Sequence, residues 1–254
     1  MMTLSPVPYS NIPSVLPAIR PDEASLRGLI CRIGQLLHQR GYVDGMAGNI
    51  SARLDDDHIL ATPSGLAKGF MQPEQLIVVD RDGNKVGPAT DANRHLLPTS
   101  ELMMHLECYQ QRSDIWGVVH AHPPTAVALT IAGISMRTCV IPEAVVLLGL
   151  VPTTRYSTPA SSENRDAIHA LIPYHDAILL AYHGSLTVGT DVWQAYLKLE
   201  SLEHTAAILH RVAQLGPITP LPPEQVAKLL EQRRQLGYWR PGDDERFCEA
   251  CGCC

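Results

Sequence analysis

The sequence predicts a single α/β domain. Three observations carry that expectation. Short apolar runs bounded by turn residues (Asn49–Leu54, Ile59–Ala61, Leu76–Asp80, Trp116–Val119, Ala177–Ala181 and Ser185–Val188) read as strands. Segments with apolar residues at helical spacing lie between and around them. No repeat and no linker divides the 254 residues, of which 45% are hydrophobic, so the chain is long enough for one sizeable core.

The elements follow in order. Residues 1–21 form a Pro-rich stretch without a basic region ahead of an apolar core, and read as an arm rather than a signal peptide. Asp22–Arg40 is an amphipathic helix with an acidic start, and Gly41-Tyr42 ends it. Asn49–Leu54 and Ile59–Ala61, joined by an Asp-rich turn, make a hairpin, and Thr62-Pro63-Ser64-Gly65 leaves it as a turn with backbone N–H groups free for an anion. Leu76–Asp80 is a buried strand closed by Asp82-Gly83-Asn84. Thr99 or Ser100 caps the next helix, and Glu101 falls in its first turn. The strand from Trp116 ends in His120-Ala121-His122 and is stopped by Pro123-Pro124. A helix or turn over Thr125–Gly133 follows, then an apolar stretch after Pro142-Glu143, a loop at Arg155–Pro159, and a helix opened by Ser161 or Ser162. The strand Ala177–Ala181 runs into Tyr182-His183-Gly184 and a further strand. Asp191 caps a long helix ended by Gly216-Pro217, and Pro222–Leu236 is the last helix expected. The main domain therefore spans 22–240, followed by a Cys-rich tail over 241–254.

Composition narrows the function classes. A net charge of −6, with both signs interspersed, gives no basic face for nucleic acid. No apolar run reaches membrane-spanning length, and without a signal peptide the expected location is the cytoplasm. Cys31, Cys108 and Cys139 sit in apolar surroundings and read as reduced core residues; Cys248, Cys251, Cys253 and Cys254 read as a flexible tail, although thiols at that spacing also suit a metal.

The chemistry centres on the histidines. Residues two apart on a strand share a face, so His120 and His122 present two imidazoles side by side, an arrangement equally open to hydrogen bonding or to one divalent metal. His183 stands at another strand end; three such histidines meet if their strands are neighbours. Three imidazoles with an open fourth position make a catalytic rather than a structural metal set, and Glu101, one helix earlier, is a candidate fourth ligand or general acid/base.

Read in order, Gly48-Asn49-Ile50-Ser51, Thr62-Pro63-Ser64-Gly65, the LIVVD strand, Thr99-Ser100-Glu101, Val118–His122 and Tyr182-His183-Gly184 resemble the class II aldolase/adducin family, in its fuculose-phosphate aldolase and ribulose-phosphate 4-epimerase branch, over residues 22–236. The resemblance implies a three-layer α/β/α fold whose central, mainly antiparallel sheet is flanked by helices. It implies a homotetramer with active sites between subunits, and one divalent ion per chain, zinc or else manganese or cobalt, on His120, His122 and His183. Glu101 would ligate the resting metal and then shuttle a proton. Asn49, Ser64, Gly65, Thr99 and Ser100 would line the pocket for the anionic group of a small substrate.

Three departures bear on the substrate. Met46 stands where the sugar-phosphate aldolases carry a threonine hydroxyl, Thr99 replaces the first serine of the usual SSE, and the proton-donating tyrosine of the aldolases has no match. Glu143 is a second candidate proton-transfer group or a plain helix-start residue; Tyr156 and Tyr238 are candidate phenols; Lys68 is a charge for an anionic substrate or a solvated surface lysine. The activity this implies is retro-aldol cleavage of a short sugar phosphate through a metal-stabilised enediolate. The alternative is decarboxylation of a hydroxylated aromatic, pyridine or sugar-acid carboxylate on the same metal. Epimerisation of a pentulose phosphate and a non-catalytic adducin-like module come after these.

Overall fold

The computed structural model describes residues 21–254, so the N-terminal arm, Pro21 excepted, lies outside the described residues. Strands β1 (Asn49–Arg53), β2 (Ile59–Ala61), β3 (Ile77–Val79), β4 (Lys85–Val86), β5 (Gly117–Ala121), β6 (Ala177–Leu180) and β7 (Gly184–Gly189) form one sheet in the order β4-β3-β2-β1-β5-β7-β6. Every neighbouring pair is antiparallel. β4 has no counterpart among the expected strands, because two residues after a turn are too few to show a period.

The side chains alternate across this sheet and sort the helices into two layers. On one face Ile50, Ala52, Leu60, Val119 and Ala121 pack against α1 (Glu23–Gln39) and the first half of α6 (Val192–Leu215). On the other, Ile59, Ala61, Val118, Ile178 and Leu186 meet α2 (Leu102–Gln111) and α5 (Ser162–His169). Asn49, Ser51 and His120 have the parity of Val118, so their polar side chains face α2, and the register pairs Asn49 directly with His120.

Pro123-Pro124 stops β5 as expected and also starts α3 (Pro124–Ala132), since a proline at the first helical position gives up an N–H that has no partner there. Glu203 of α6 accepts the next two, from Thr125 N at 2.9 Å and Ala126 N at 2.8 Å. This ion at a helix N-terminus fixes the chain immediately after His122. The apolar stretch after Pro142 begins as α4 (Pro142–Leu147), which packs with α3 and the second half of α6.

The chain end departs from expectation. The stretch expected as a flexible tail contains α8 (Asp243–Cys251), docked on α7 (Pro223–Gln235) through fully buried Phe247 and a 2.8 Å bond from Arg233 to Asp243. Cys139, expected as a reduced core thiol, is joined to Cys251, and Cys248 to Cys254. Cys31 and Cys108 are free and buried. The sequence pattern missed the helix because its apolar face is narrow and one of its partners, Cys139, lies 112 residues from Cys251.

Glu203→Ala removes both acceptors from the start of α3. We expect a loss of about 1–3 kcal/mol in chemical denaturation, the cost of leaving buried N–H groups unpaired; an unchanged midpoint would show that α3 does not depend on this cap.

Candidate metal centre

The pairing of β5 with β7 brings the three histidines together. His120 pairs with Leu186, one step before the ladder ends at Ala121 and Ser185, His122 follows it on the same face, and His183 lies in the turn between β6 and β7. The turn is tight enough to hold Tyr182 at φ 60°, a left-handed conformation that a non-glycine residue adopts only under constraint. The three rings form a near-equilateral triangle with centroids 4.8–4.9 Å apart. Their donor nitrogens all lie within 4.8 Å of one another.

Glu101 closes the triangle. Its Oε2 is 3.1 Å from His120 Nε2, and its Oε1 is 3.5 Å from His183 Nε2. The helix begins one residue later than expected: Glu101 occupies the N-cap position, and its carboxylate turns to the histidines instead of capping the helix. Thr99 Oγ1 accepts the Glu101 N–H at 3.4 Å. Two amides hold the carboxylate oxygens, Asn49 Nδ2 donating to Oε2 at 2.9 Å and Asn164 Nδ2 to Oε1 at 3.0 Å. Burial pushes this carboxyl up, but His120, His183 and Asn49 outweigh it and hold it ionised, well below the usual carboxylate range.

Behind Glu101 runs a chain of groups that the sequence reading missed. Tyr109 OH and Ser51 Oγ are 2.8 Å apart, and Ser51 Oγ is 2.7 Å from His105 Nδ1. His105 Nε2 bonds Asn49 Oδ1 at 2.5 Å. Burial lowers the His105 pKa to about 3, so the ring is neutral; with Nε2–H donating to Asn49, its Nδ1 accepts from Ser51. Ser157 Oγ donates to Asn164 Oδ1 at 2.6 Å on the other side. Spacing held part of this signal: His105 is one helical turn beyond Glu101, and Ser51 is two residues beyond Asn49 on the same strand face.

The donors fit a divalent metal. Burial pushes the pKa of His122 down to about 3 and that of His183 to about 4, so both rings are neutral and carry a lone pair. His120 Nδ1–H donates to Ser185 O at 2.9 Å, which leaves the Nε2 lone pair directed inward. That nitrogen lies 3.1 Å from His122 Nε2. His183 Nδ1 is buried with no partner, so Nε2 is the interacting end of that ring. Three inward nitrogens and one carboxylate oxygen are the ligand types of zinc, and suit manganese or cobalt as well.

The remaining candidates divide in two. The Thr62–Gly65 turn is brought beside Thr99 and Ser100 by a bridge between Pro63 and Pro98 and by Ser64 N donating to Leu97 O at 2.9 Å. Ser64, Gly65 and Ser100 are exposed. Lys68, weighed above as a solvated lysine, is only 2% exposed; its Nζ donates to Met46 O at 2.8 Å and Leu66 O at 2.7 Å, two neutral carbonyls. Its ammonium therefore sits between the Gly45–Gly48 loop and the turn after β2. Burial lowers its pKa to about 8, against the pull of Glu101. Glu143, by contrast, is exposed on α4, which packs toward α7. Tyr156 is 60% exposed and meets the equally exposed Tyr182 edge-on, with ring centroids 6.4 Å apart. Tyr238 packs on Lys198, away from the histidines in an ion cluster around Asp176.

Comparison with known proteins finds relatives along most of the chain. A family model described as the class II aldolase and adducin N-terminal domain matches residues 28–210. The chain is 34% identical to an L-fuculose phosphate aldolase of Methanococcus maripaludis over 184 residues, covering 72% of this chain and 96% of the relative. It is 35% identical to a 3-oxo-tetronate 4-phosphate decarboxylase of Cupriavidus necator over 190 residues, covering 73% and 84%. The crystal structure of YgbL from Escherichia coli, titled a putative aldolase/epimerase/decarboxylase, superposes with a TM-score of 0.73 at 31% identity, covering 82% of this chain and 98% of that one.

Gly184 gives a direct test of the centre. A Cβ there would lie 2.5 Å from Ala121 O, 2.9 Å from His122 Cδ2 and 3.1 Å from His120 Cε1. Gly184→Ala must push both imidazoles aside, and we expect metal affinity to fall about 10- to 100-fold, measured by competition with a chromogenic chelator. Unchanged affinity would mean that these rings do not hold the metal.

Proposed function

The chain belongs to the class II aldolase and adducin family, and we propose that it is a divalent-metal-dependent carbon–carbon lyase acting on a short phosphorylated sugar or sugar acid. The observation that carries this reading is the triangle of inward imidazole nitrogens with an ionised carboxylate at its edge. His120, His122 and His183 hold the metal, with zinc the first choice for this donor set. A cation there supplies Lewis acidity for the electron pair left beside a substrate carbonyl when a carbon–carbon bond breaks. Glu101 ligates at rest, then swings off to give or take the proton at that carbon. Asn49 and Asn164, each within 3.0 Å of a carboxylate oxygen, define where it returns. The anionic end of the substrate lies against Ser64, Gly65, Thr99 and Ser100. Lys68 supplies a positive charge there, since its two hydrogen bonds in the described structure go to neutral groups.

Retro-aldol cleavage is the first reading, with Tyr156 the phenol for the substrate hydroxyl proton. Decarboxylation is the second, favoured by the 35% identity to a 3-oxo-tetronate 4-phosphate decarboxylase; there CO₂ departs without a proton from any side chain. Both relatives named above are lyases, and both names contain a phosphorylated substrate. No helix among the described residues is long and apolar enough to cross a membrane. We read the working form as a cytoplasmic homotetramer with sites at subunit boundaries, a reading supported by the exposed apolar side chains Phe70, Leu97, Tyr156 and Tyr182.

Incubation of the zinc-loaded protein with L-fuculose 1-phosphate and with 3-oxo-tetronate 4-phosphate separates the two reactions, through aldehyde release in one and CO₂ in the other. Glu101→Gln should retain metal and lose about 10²- to 10⁴-fold in turnover. A Glu101→Gln enzyme with full activity would remove Glu101 from the proton path. Neither product from the metal-loaded wild type, across phosphorylated C4–C6 substrates, would refute the lyase reading.

Lys68 gives the pH dependence. The ammonium form binds the anion and is present below its pKa of about 8, so KM should rise as the pH is raised through 8. Lys68→Met should show a KM about 10- to 100-fold higher at pH 7 and flat across that range, the loss of one charge-assisted hydrogen bond. Equal KM profiles for the two proteins would place the anion elsewhere.

A further inference from the structure

None of the seven cysteines takes part in the lyase reading, and five of them converge at one end of the molecule. Cys248, Cys251 and Cys254 recur every third residue, and Cys139, 112 residues before Cys251, joins them from the chain ahead of α4. Cys248 and Cys251 are three apart on α8 and so lie on one side of it. Each has a partner sulfur, with Cα atoms 6.2 Å apart for Cys139–Cys251 and 5.1 Å for Cys248–Cys254. Cys139 and Cys251 belong to the cluster with Val145, Leu150, Val226, Leu230 and Phe247, and the Cys248–Cys254 pair is joined to it through α8.

The docking of α8 does not depend on sulfur chemistry. Phe247 is fully buried, and Arg233 of α7 bonds Asp243 at 2.8 Å. The helix holds Cys248 and Cys251 in place whether or not they are bonded. With Cys139 and Cys254 paired to them, reduction gives four thiols, the donor number and type of a closed, structural zinc site with no open position. Cys253 is free and half-buried, packed against the apolar cluster and outside the two pairs.

We infer that Cys139, Cys248, Cys251 and Cys254 form a second, redox-gated metal site, which takes one zinc-class ion when reduced and releases it when paired as two disulfides. The reaction balances. Two dithiol molecules supply four electrons and four protons, becoming disulfides themselves, and the two protein disulfides become four thiols. The ion then displaces the four thiol protons. On oxidation two molecules of a small disulfide accept the four electrons and become four thiolates, two protein sulfur–sulfur bonds form, and the ion leaves. This site has no open ligand position and no proton carrier, so it anchors the chain end instead of turning over substrate. Its tie runs from α8 to the segment ahead of α4.

The test counts metal in the full chain. Protein reduced with excess dithiothreitol is loaded with Zn²⁺, desalted without oxygen and analysed for zinc, beside protein left oxidised. Reduced wild type should retain about two zinc ions per chain and oxidised protein about one. A His120→Ala/His183→Ala variant, lacking the lyase site, should retain about one when reduced and none when oxidised. Adding Cys254→Ser to that variant should abolish the remaining ion; Cys254 is exposed at the chain end beyond α8, so the change leaves the packing of the helix intact. Adding Cys31→Ser should change nothing. One ion or none in the reduced wild type with the double variant empty, zinc retained after Cys254→Ser, or iron and sulfide bound in place of zinc would each overturn the proposal. Because the double variant reports on the cysteine site alone, a wrong lyase reading and a wrong second site give different results.

Discussion

Polar side chains buried between the middle of a sheet and a helix must find partners there, and this molecule has a row of them. Asn49, Ser51 and His120 lie on the face toward α2, which answers with Glu101, His105 and Tyr109. Leaving any one of them unpaired would cost about 1–3 kcal/mol, more for the carboxylate. The result is a continuous hydrogen-bonded line from Tyr109 to Glu101, ending at the histidine triangle. The helix layers then have little freedom: α2 must lie where Glu101 reaches His120, and α5 where Asn164 reaches Glu101.

A second buried carboxylate organises the opposite side. Asp176, fully buried at the start of β6, accepts from Arg112 at 2.8 Å, Lys198 at 2.7 Å and Arg240 at 2.9 Å. Burial pushes this carboxyl up, but the three cations outweigh it and keep it ionised, well below the usual range. The cluster joins the end of α2, the middle of α6 and the segment after α7. It thereby brings Pro241 and α8 back to the domain. The two carboxylates differ in what surrounds them. Asp176 is surrounded by the permanent cations of Arg112, Lys198 and Arg240; Glu101 faces two amides and the imidazoles of His120 and His183.

Between these two anchors the reacting groups sit on short, fixed elements. His120 and His122 are held by β5 and by the Glu203 cap on α3, His183 by a turn that forces Tyr182 to positive φ. Gly184 lets the backbone of that turn pass beside both imidazoles. Such support keeps three lone pairs aimed at one point, a requirement of the chemistry that flexible loops meet poorly.

Local periodicity by itself determined the helices α1, α2, α5, α6 and α7, the strand alternation and the pairing of His120 with His122, because each is set by residues within a few positions of one another. The spacing of the motifs along the chain also pointed to the family. Only the tertiary structure decided which distant groups meet. His183 joins the other two histidines through the β5–β7 ladder, and Lys68 is drawn under cover because Gly34 of α1 leaves room for its backbone carbonyl, 2.3 Å from where a Cβ would stand. Asn164 becomes a partner of Glu101 and His105 a partner of Asn49, while Glu143 is exposed on α4 and Tyr238 packs on Lys198. The cysteines show the division most plainly. Their spacing on α8 is written in the last residues, but the pairing with Cys139 depends on how more than a hundred intervening residues fold, a long-range closure for which a one-dimensional pattern carries no signal.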